Sequence, residues 1–140
     1  MKWLLVAFAL IFAAPVLAQT AAGPSTPMTP TPDDRAKQWL SLVDDKNYAD
    51  AYKQMGVMAR GKSSEQDFAA KISNERAPLG AMASRTLKDV NAAKTLPGMR
   101  DGQYTIVRYD SSFAHKAAAV ESITLESEHG AWSVVGYSIN

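Results

Sequence analysis

The chain changes character once, at Pro78, and that switch limits its architecture more than any other feature. Before it, apolar residues recur at helical spacing. After it come short β-prone runs separated by glycine turns. Ala36, Trp39, Leu40 and Val43 fall at i, i+3, i+4 and i+7 and share one helix face, with Arg35, Lys37, Gln38 and Ser41 opposite. Asp33 or Asp34 is expected to cap this helix, and both place negative charge where the helix dipole favours it. Asp44-Asp45-Lys46-Asn47 interrupts it. Asn47 then starts a second helix, in which Tyr48, Ala51, Tyr52, Met55 and Met58 repeat the spacing until Gly61. Ser63 with Gln66, or Ser64 with Asp67, opens a third through a capping box, with Phe68, Ala69 and Ile72 as its stripe and Pro78 as its stop.

Beyond Pro78, Leu79 to Val90 holds one strand, followed by the turn signals Leu96-Pro97-Gly98 and Asp101-Gly102. Tyr104 to Tyr109 is rich in β-branched and aromatic residues. Val120 to Glu126 alternates, placing Glu121, Ile123 and Leu125 on one face. His129-Gly130 turns the chain into a last strand from Trp132 to Ile139. Short connections between consecutive strands favour antiparallel neighbours. The expected fold is therefore α+β, three N-terminal helices on one face of a four-stranded antiparallel sheet.

The first 32 residues stand outside that body. Lys2, the apolar run Trp3 to Ala14, Pro15 and the small-residue end Val16-Leu17-Ala18 predict a secretory signal peptide over residues 1–18. The apolar run is shorter than the roughly 20 residues a bilayer span needs, so no stable membrane anchor is expected once the leader is cleaved. Residues 19–32 carry Pro24, Pro27, Pro30 and Pro32 among Thr, Ser, Ala and Gly, which predicts an extended, disordered linker. A single domain over residues 33–140 follows, and the compartment implied is the periplasm or the exterior.

Charge and composition remove several function classes. With 15 basic and 14 acidic side chains there is no excess positive charge for nucleic-acid binding. The absence of Cys removes disulfides, zinc-thiolate sites and thiol nucleophiles. His115 and His129 are the only histidines, both in turn segments without a carboxylate at metal-ligand spacing, and they read as solvated turn residues. There is no Gly-x-Ser-x-Gly elbow and no phosphate-cradling glycine loop. No metal and no cofactor is expected.

Several of these segments together resemble a known family. Trp39-Leu40-Ser41-Leu42-Val43-Asp44, then Arg76-Ala77-Pro78-Leu79-Gly80 with Arg85, then Leu96-Pro97-Gly98 and Asp101-Gly102-Gln103-Tyr104 form the first part. Phe113, Glu121 and the ending Trp132-Ser133-Val134-Val135-Gly136-Tyr137-Ser138-Ile139 complete it. In this order they are similar to the bacterial domain of unknown function family 4019. The resemblance implies a small bacterial protein, often exported, without an assigned activity, and it carries over no catalytic residue. By looser analogy of element order the shape is cystatin-like or nuclear-transport-factor-2-like, which does not fix function.

The charged residues in apolar company are the candidate site. Arg76 lies four residues after Ile72, on the buried stripe of the third helix. Arg85 alternates with Ala81, Ala83 and Leu87, and Glu121 with Ala119, Ile123 and Leu125. Inward charges are costly unless paired, so Glu121 is expected to pair with Arg85 or Arg76. That pair is either structural or the core of a ligand-binding site formed by Arg76, Arg85 and Glu121. The leading functional reading is a non-enzymatic domain that binds a small ligand, peptide or envelope protein through its sheet, with the edge of the last strand as one docking place. The alternative is a small pocket enzyme of isomerase or lyase type, with Asp110 or Glu121 as acid-base group and Tyr104 and Tyr109 as hydrogen-bond donors. Homodimerisation through the sheet is compatible with either.

Overall fold

The computed structural model describes residues 28–140; the leader and most of the linker expected from the sequence lie outside the described residues. Helix α1 (Pro32–Asp44) opens with Thr31 as its cap: the Thr31 hydroxyl accepts from the Asp34 amide and the Asp34 carboxylate accepts from the Thr31 amide, a complete capping box. The cap is therefore Thr31 rather than Asp33 or Asp34, because Pro32, whose missing N–H costs nothing at the first position, sits ready-made at the helix start. Ala36, Trp39, Leu40 and Val43 are buried, as their spacing predicts.

The helix ends in a Schellman turn. Lys46 N–H donates to the Val43 carbonyl at 3.1 Å and Asn47 N–H to the Leu42 carbonyl at 2.8 Å. The turn places Lys46 at φ 59°, where glycine is the usual residue and an L-side chain costs roughly 1–2 kcal/mol.

The expected second helix is split. Helix α2 (Tyr48–Lys53), capped by Asn47, stops early, and α3 (Val57–Arg60) restarts after Gly56. Between them Met55 bridges to Val134 in parallel, and the Gly56 amide donates to the Val134 carbonyl at 2.8 Å. Gly56 permits this approach, since a Cβ there would lie 2.9 Å from Val135 Cγ1. Helix α4 (Glu65–Arg76), capped by Ser64, runs into a 3₁₀ turn (Ala77–Leu79) that accommodates Pro78. The body thus has four α-helices where helical periodicity alone predicts three.

Four strands follow as an antiparallel meander in the order β1 (Met82–Ala93), β2 (Tyr104–Phe113), β3 (Lys116–Glu128) and β4 (Ala131–Ile139). β2, β3 and β4 are longer than their β-prone cores, and β1 keeps its expected length but is displaced three residues toward the C-terminus because the 3₁₀ turn takes up Leu79 at its expected start. The β3–β4 hairpin turns at His129 and Gly130, both at positive φ, as a two-residue primed turn requires.

The core lies between the helices and the strand face carrying Val107, Tyr109, Ile123, Leu125 and Val134. Trp39 stacks edge-on with Phe68 and tilted against Tyr137, while its indole N–H donates to the Ala51 carbonyl at 2.9 Å, binding α1 to α2. Helix α1 packs on β2, β3 and β4, and α3 on β4, while among the described residues no helix packs broadly on β1. Leu87 and Val90 sit opposite Tyr109 and Val107 and so face the core side, yet they remain 43% and 46% exposed. Register shifts between Met82 and Ser84 and between Leu87 and Asp89 interrupt this edge strand.

Candidate functional site

Four charged residues from four elements meet beneath the sheet. Glu121 on β3 is 0% exposed and accepts five hydrogen bonds: Arg76 Nη1 at 2.7 Å, Arg85 Nε at 2.7 Å, Arg85 Nη2 at 3.1 Å, Ser111 Oγ at 2.6 Å and Tyr137 Oη at 2.9 Å. Asp44, the last residue of α1, completes the cluster. Arg85 Nη1 donates to its Oδ2 at 2.7 Å and Arg85 Nη2 to its Oδ1 at 3.1 Å, and Arg76 Nη2 donates to the same Oδ1. Two guanidinium cations face two carboxylates, so the buried charge sums to zero. The Arg76 guanidinium also lies over the Phe113 ring, 4.7 Å from its centroid.

Electrostatics follow from this geometry. Burial pulls the Arg85 guanidinium down, but hydrogen bonds and charge from Asp44 and Glu121 outweigh it and raise it above its usual value. Arg76 shifts the same way: burial opposes, while Tyr137, Asp44 and Glu121 prevail. The Tyr137 phenol is pushed up first by burial and then by the neighbouring Glu121 charge. Tyr109 is pushed up by burial and by its 2.6 Å hydrogen bond to Asp33 Oδ1.

The expected pairing of Glu121 with Arg85 or Arg76 is met by both arginines at once. Sequence reasoning missed Asp44, although Ala36, Leu40 and Asp44 step by four along the buried stripe of α1, which marks Asp44 as a charge on an apolar face. Ser111 and Tyr137 were missed too, being uncharged and on inward strand positions. The acid-base constellation is not assembled. Asp110 sits on the opposite sheet face, exposed, paired with Lys88 at 2.8 Å. The Tyr104 hydroxyl donates to the Arg100 carbonyl and Tyr109 to Asp33, so neither serves Asp110 or Glu121. Both oxygens of Glu121 are saturated, leaving none for a substrate proton. His115 and His129 are exposed in turns. Among the described residues no group of His, Asp or Glu could hold a metal ion.

Two concavities flank the cluster. One of about 520 Å³ opens between the end of α1, the end of α4 and the start of β1, with Asp44 and Arg76 in its wall. The other, a shallow hollow of about 450 Å³, lies by Asp110, Ser112 and Asn140 at the β2–β3 end of the sheet. The last strand is not a free edge along its first half. Arg35 Nε donates to the Trp132 carbonyl at 3.2 Å and Gly56 N–H to that of Val134.

A family model described as "Protein of unknown function (DUF4019)" matches residues 35–137, which include every member of the charge cluster. The chain belongs to that family. No curated protein matches the sequence. In this DUF4019 protein the charge cluster joins segments from both halves of the matched region, from Asp44 to Tyr137. Among the described residues no helix is long and apolar enough to cross a membrane.

Proposed function

We propose that this DUF4019 protein is a non-enzymatic interaction module of the bacterial envelope whose docking place is the edge strand β1. One observation carries the reading: among the described residues, Leu87 and Val90 lie on the core-facing side of a strand on which no helix packs broadly, and the outer edge of that strand has no neighbouring strand. An extended segment from a partner protein can add to such an edge through main-chain hydrogen bonds, with alternate side chains reaching the apolar pair. The register shifts and Lys88 guard the strand against indiscriminate pairing. They leave Asp89 to Ala93 as a regular stretch and so favour a short partner strand.

Placement in the envelope rests on the leader, Lys2 followed by Trp3 to Ala14 and ending Val16-Leu17-Ala18. The Arg76–Arg85–Glu121 cluster, with both Glu121 oxygens saturated, then acts as a brace that holds β1 to the body.

Photo-crosslinking tests the docking place. A photoreactive residue at Val90 should capture discrete partners from the host's envelope fraction, and the same probe at Lys53 on α2 should not. Leu87→Lys in the Val90 probe variant should abolish capture while leaving thermal stability within about 0.5 kcal/mol, as for other exposed positions. Equal capture from both sites, or capture indifferent to Leu87→Lys, would refute the reading. Sedimentation of the purified protein distinguishes a foreign partner from a second copy.

A further inference from the structure

The 520 Å³ cavity has a chemical bias independent of the sheet edge. Its wall includes Val43, Asp44, Lys46, Tyr48, Ser73 and Arg76. The one carboxylate in that wall is already engaged. Both carboxylate oxygens of Asp44 receive guanidinium N–H groups, and the Ser41, Val43 and Leu42 carbonyls are taken by the Asp45, Lys46 and Asn47 amides. The donors are not. Among the described residues the Lys46 ammonium forms no ion pair, and the Tyr48 hydroxyl, the Ser73 hydroxyl and Arg76 Nε–H have no hydrogen-bond partner. Two of these groups, the Lys46 ammonium and Arg76 Nε–H, can only donate, the two hydroxyls can turn to donate, and one free positive charge stands at the rim, a set that suits an anion. Val43, Ala81 and Met82 add an apolar wall.

The backbone adds a second, separate observation. Lys46 occupies the positive-φ position of the Schellman turn, where glycine would relieve strain. The chain keeps a long cationic side chain at a place beside this cavity where the fold itself favours having none, while the other positive-φ position in the wall, Gly80, is a glycine.

We propose that the cavity binds a small organic carboxylate, with its carboxylate held by Lys46 and the hydroxyl donors and its hydrocarbon part lying along Val43 and Met82. Arg76 takes part through its free Nε–H while its terminal nitrogens stay in the cluster.

The test is titration of the purified protein with hexanoate, followed by amide chemical shifts, with hexylamine and inorganic phosphate as controls. Hexanoate should shift amides of residues 43–48, 73–77 and 80–82 saturably, with a Kd on the order of millimolar for so small a ligand. Hexylamine should not shift them, and phosphate should bind at least tenfold more weakly because it gains nothing from the apolar wall. Lys46→Gly should weaken hexanoate about tenfold while the thermal midpoint holds or rises, so loss of binding cannot be ascribed to loss of fold. Absence of saturable shifts, equal binding of hexylamine, phosphate binding as tightly as hexanoate, or unchanged affinity in Lys46→Gly would each overturn the proposal. None of these results bears on the β1 edge.

Discussion

Replacing Glu121 by Gln is the sharpest perturbation this molecule offers. The change keeps the side chain's size and removes one charge from a cluster of four, leaving two arginines against Asp44 alone. It also creates a clash of donors. One side of Glu121 accepts from Arg76, Arg85 and Tyr137, and the other from Arg85 and Ser111. Whichever way the amide turns, its NH₂ faces a guanidinium N–H. Glu121 is fully buried, so water cannot relieve either problem. Removing one partner of such a buried pair costs about 3–5 kcal/mol, a large share of the roughly 5–15 kcal/mol that holds a domain together. For a domain near 100 residues the thermal midpoint should fall by about 12–20 °C.

Arg85→Met restores charge balance when combined with Glu121→Gln, so the double variant should lose less than the sum of the single losses, by about 2–3 kcal/mol. Urea denaturation at neutral pH, followed by circular dichroism, measures all three variants. A loss below about 1 kcal/mol for Glu121→Gln, or strict additivity with Arg85→Met, would refute the cluster as a structural brace.

Alkaline pH should weaken the fold. Tyr137 and Tyr109 hold their protons more tightly when folded, so their contribution is complete below the unfolded value near 10. It is lost as pH rises above that value, at up to about 1.4 kcal/mol per pH unit for each phenol. Unfolding free energies at pH 9, 10 and 11 check this, and Tyr137→Phe should flatten the slope. Gly56→Ala should cost about 1–3 kcal/mol by driving a methyl into Val135 Cγ1 at 2.9 Å, read as a drop in urea midpoint. Export should remove residues 1–18, so intact mass of the protein recovered from the envelope fraction should place the new N-terminus at Gln19, and a chain still beginning at Met1 would contradict the leader.

Much of this architecture is legible in the residues because its signals are local. The stripe of Trp39, Leu40 and Val43, the Asn47 and Ser64 caps and the His129–Gly130 turn each depend on neighbours a few positions away. The break at Gly56 was hidden because its cause is the β4 backbone, far along the chain, which makes a glycine that looks like a helix fault into a β-bridge. The charge cluster was half visible. Inward alternation exposes Arg85 and Glu121, whereas Asp44 joins them only through the way the end of α1 meets the sheet. Exposure of Leu87 and Val90 was not legible at all. Their pattern is that of buried residues, and only the placement of the helices over β2, β3 and β4 leaves them uncovered.

The way Arg85 reaches under the sheet has a mechanical consequence. β1 is laced to β2 along one side, and what fastens it to the helical layer is chiefly that one side chain, gripping Asp44 and Glu121. To part β1 from the helices, the Arg85 guanidinium must leave two carboxylates at once, one of them beyond the reach of water. A single arginine thus works as the clasp between a strand and a layer that otherwise scarcely touch.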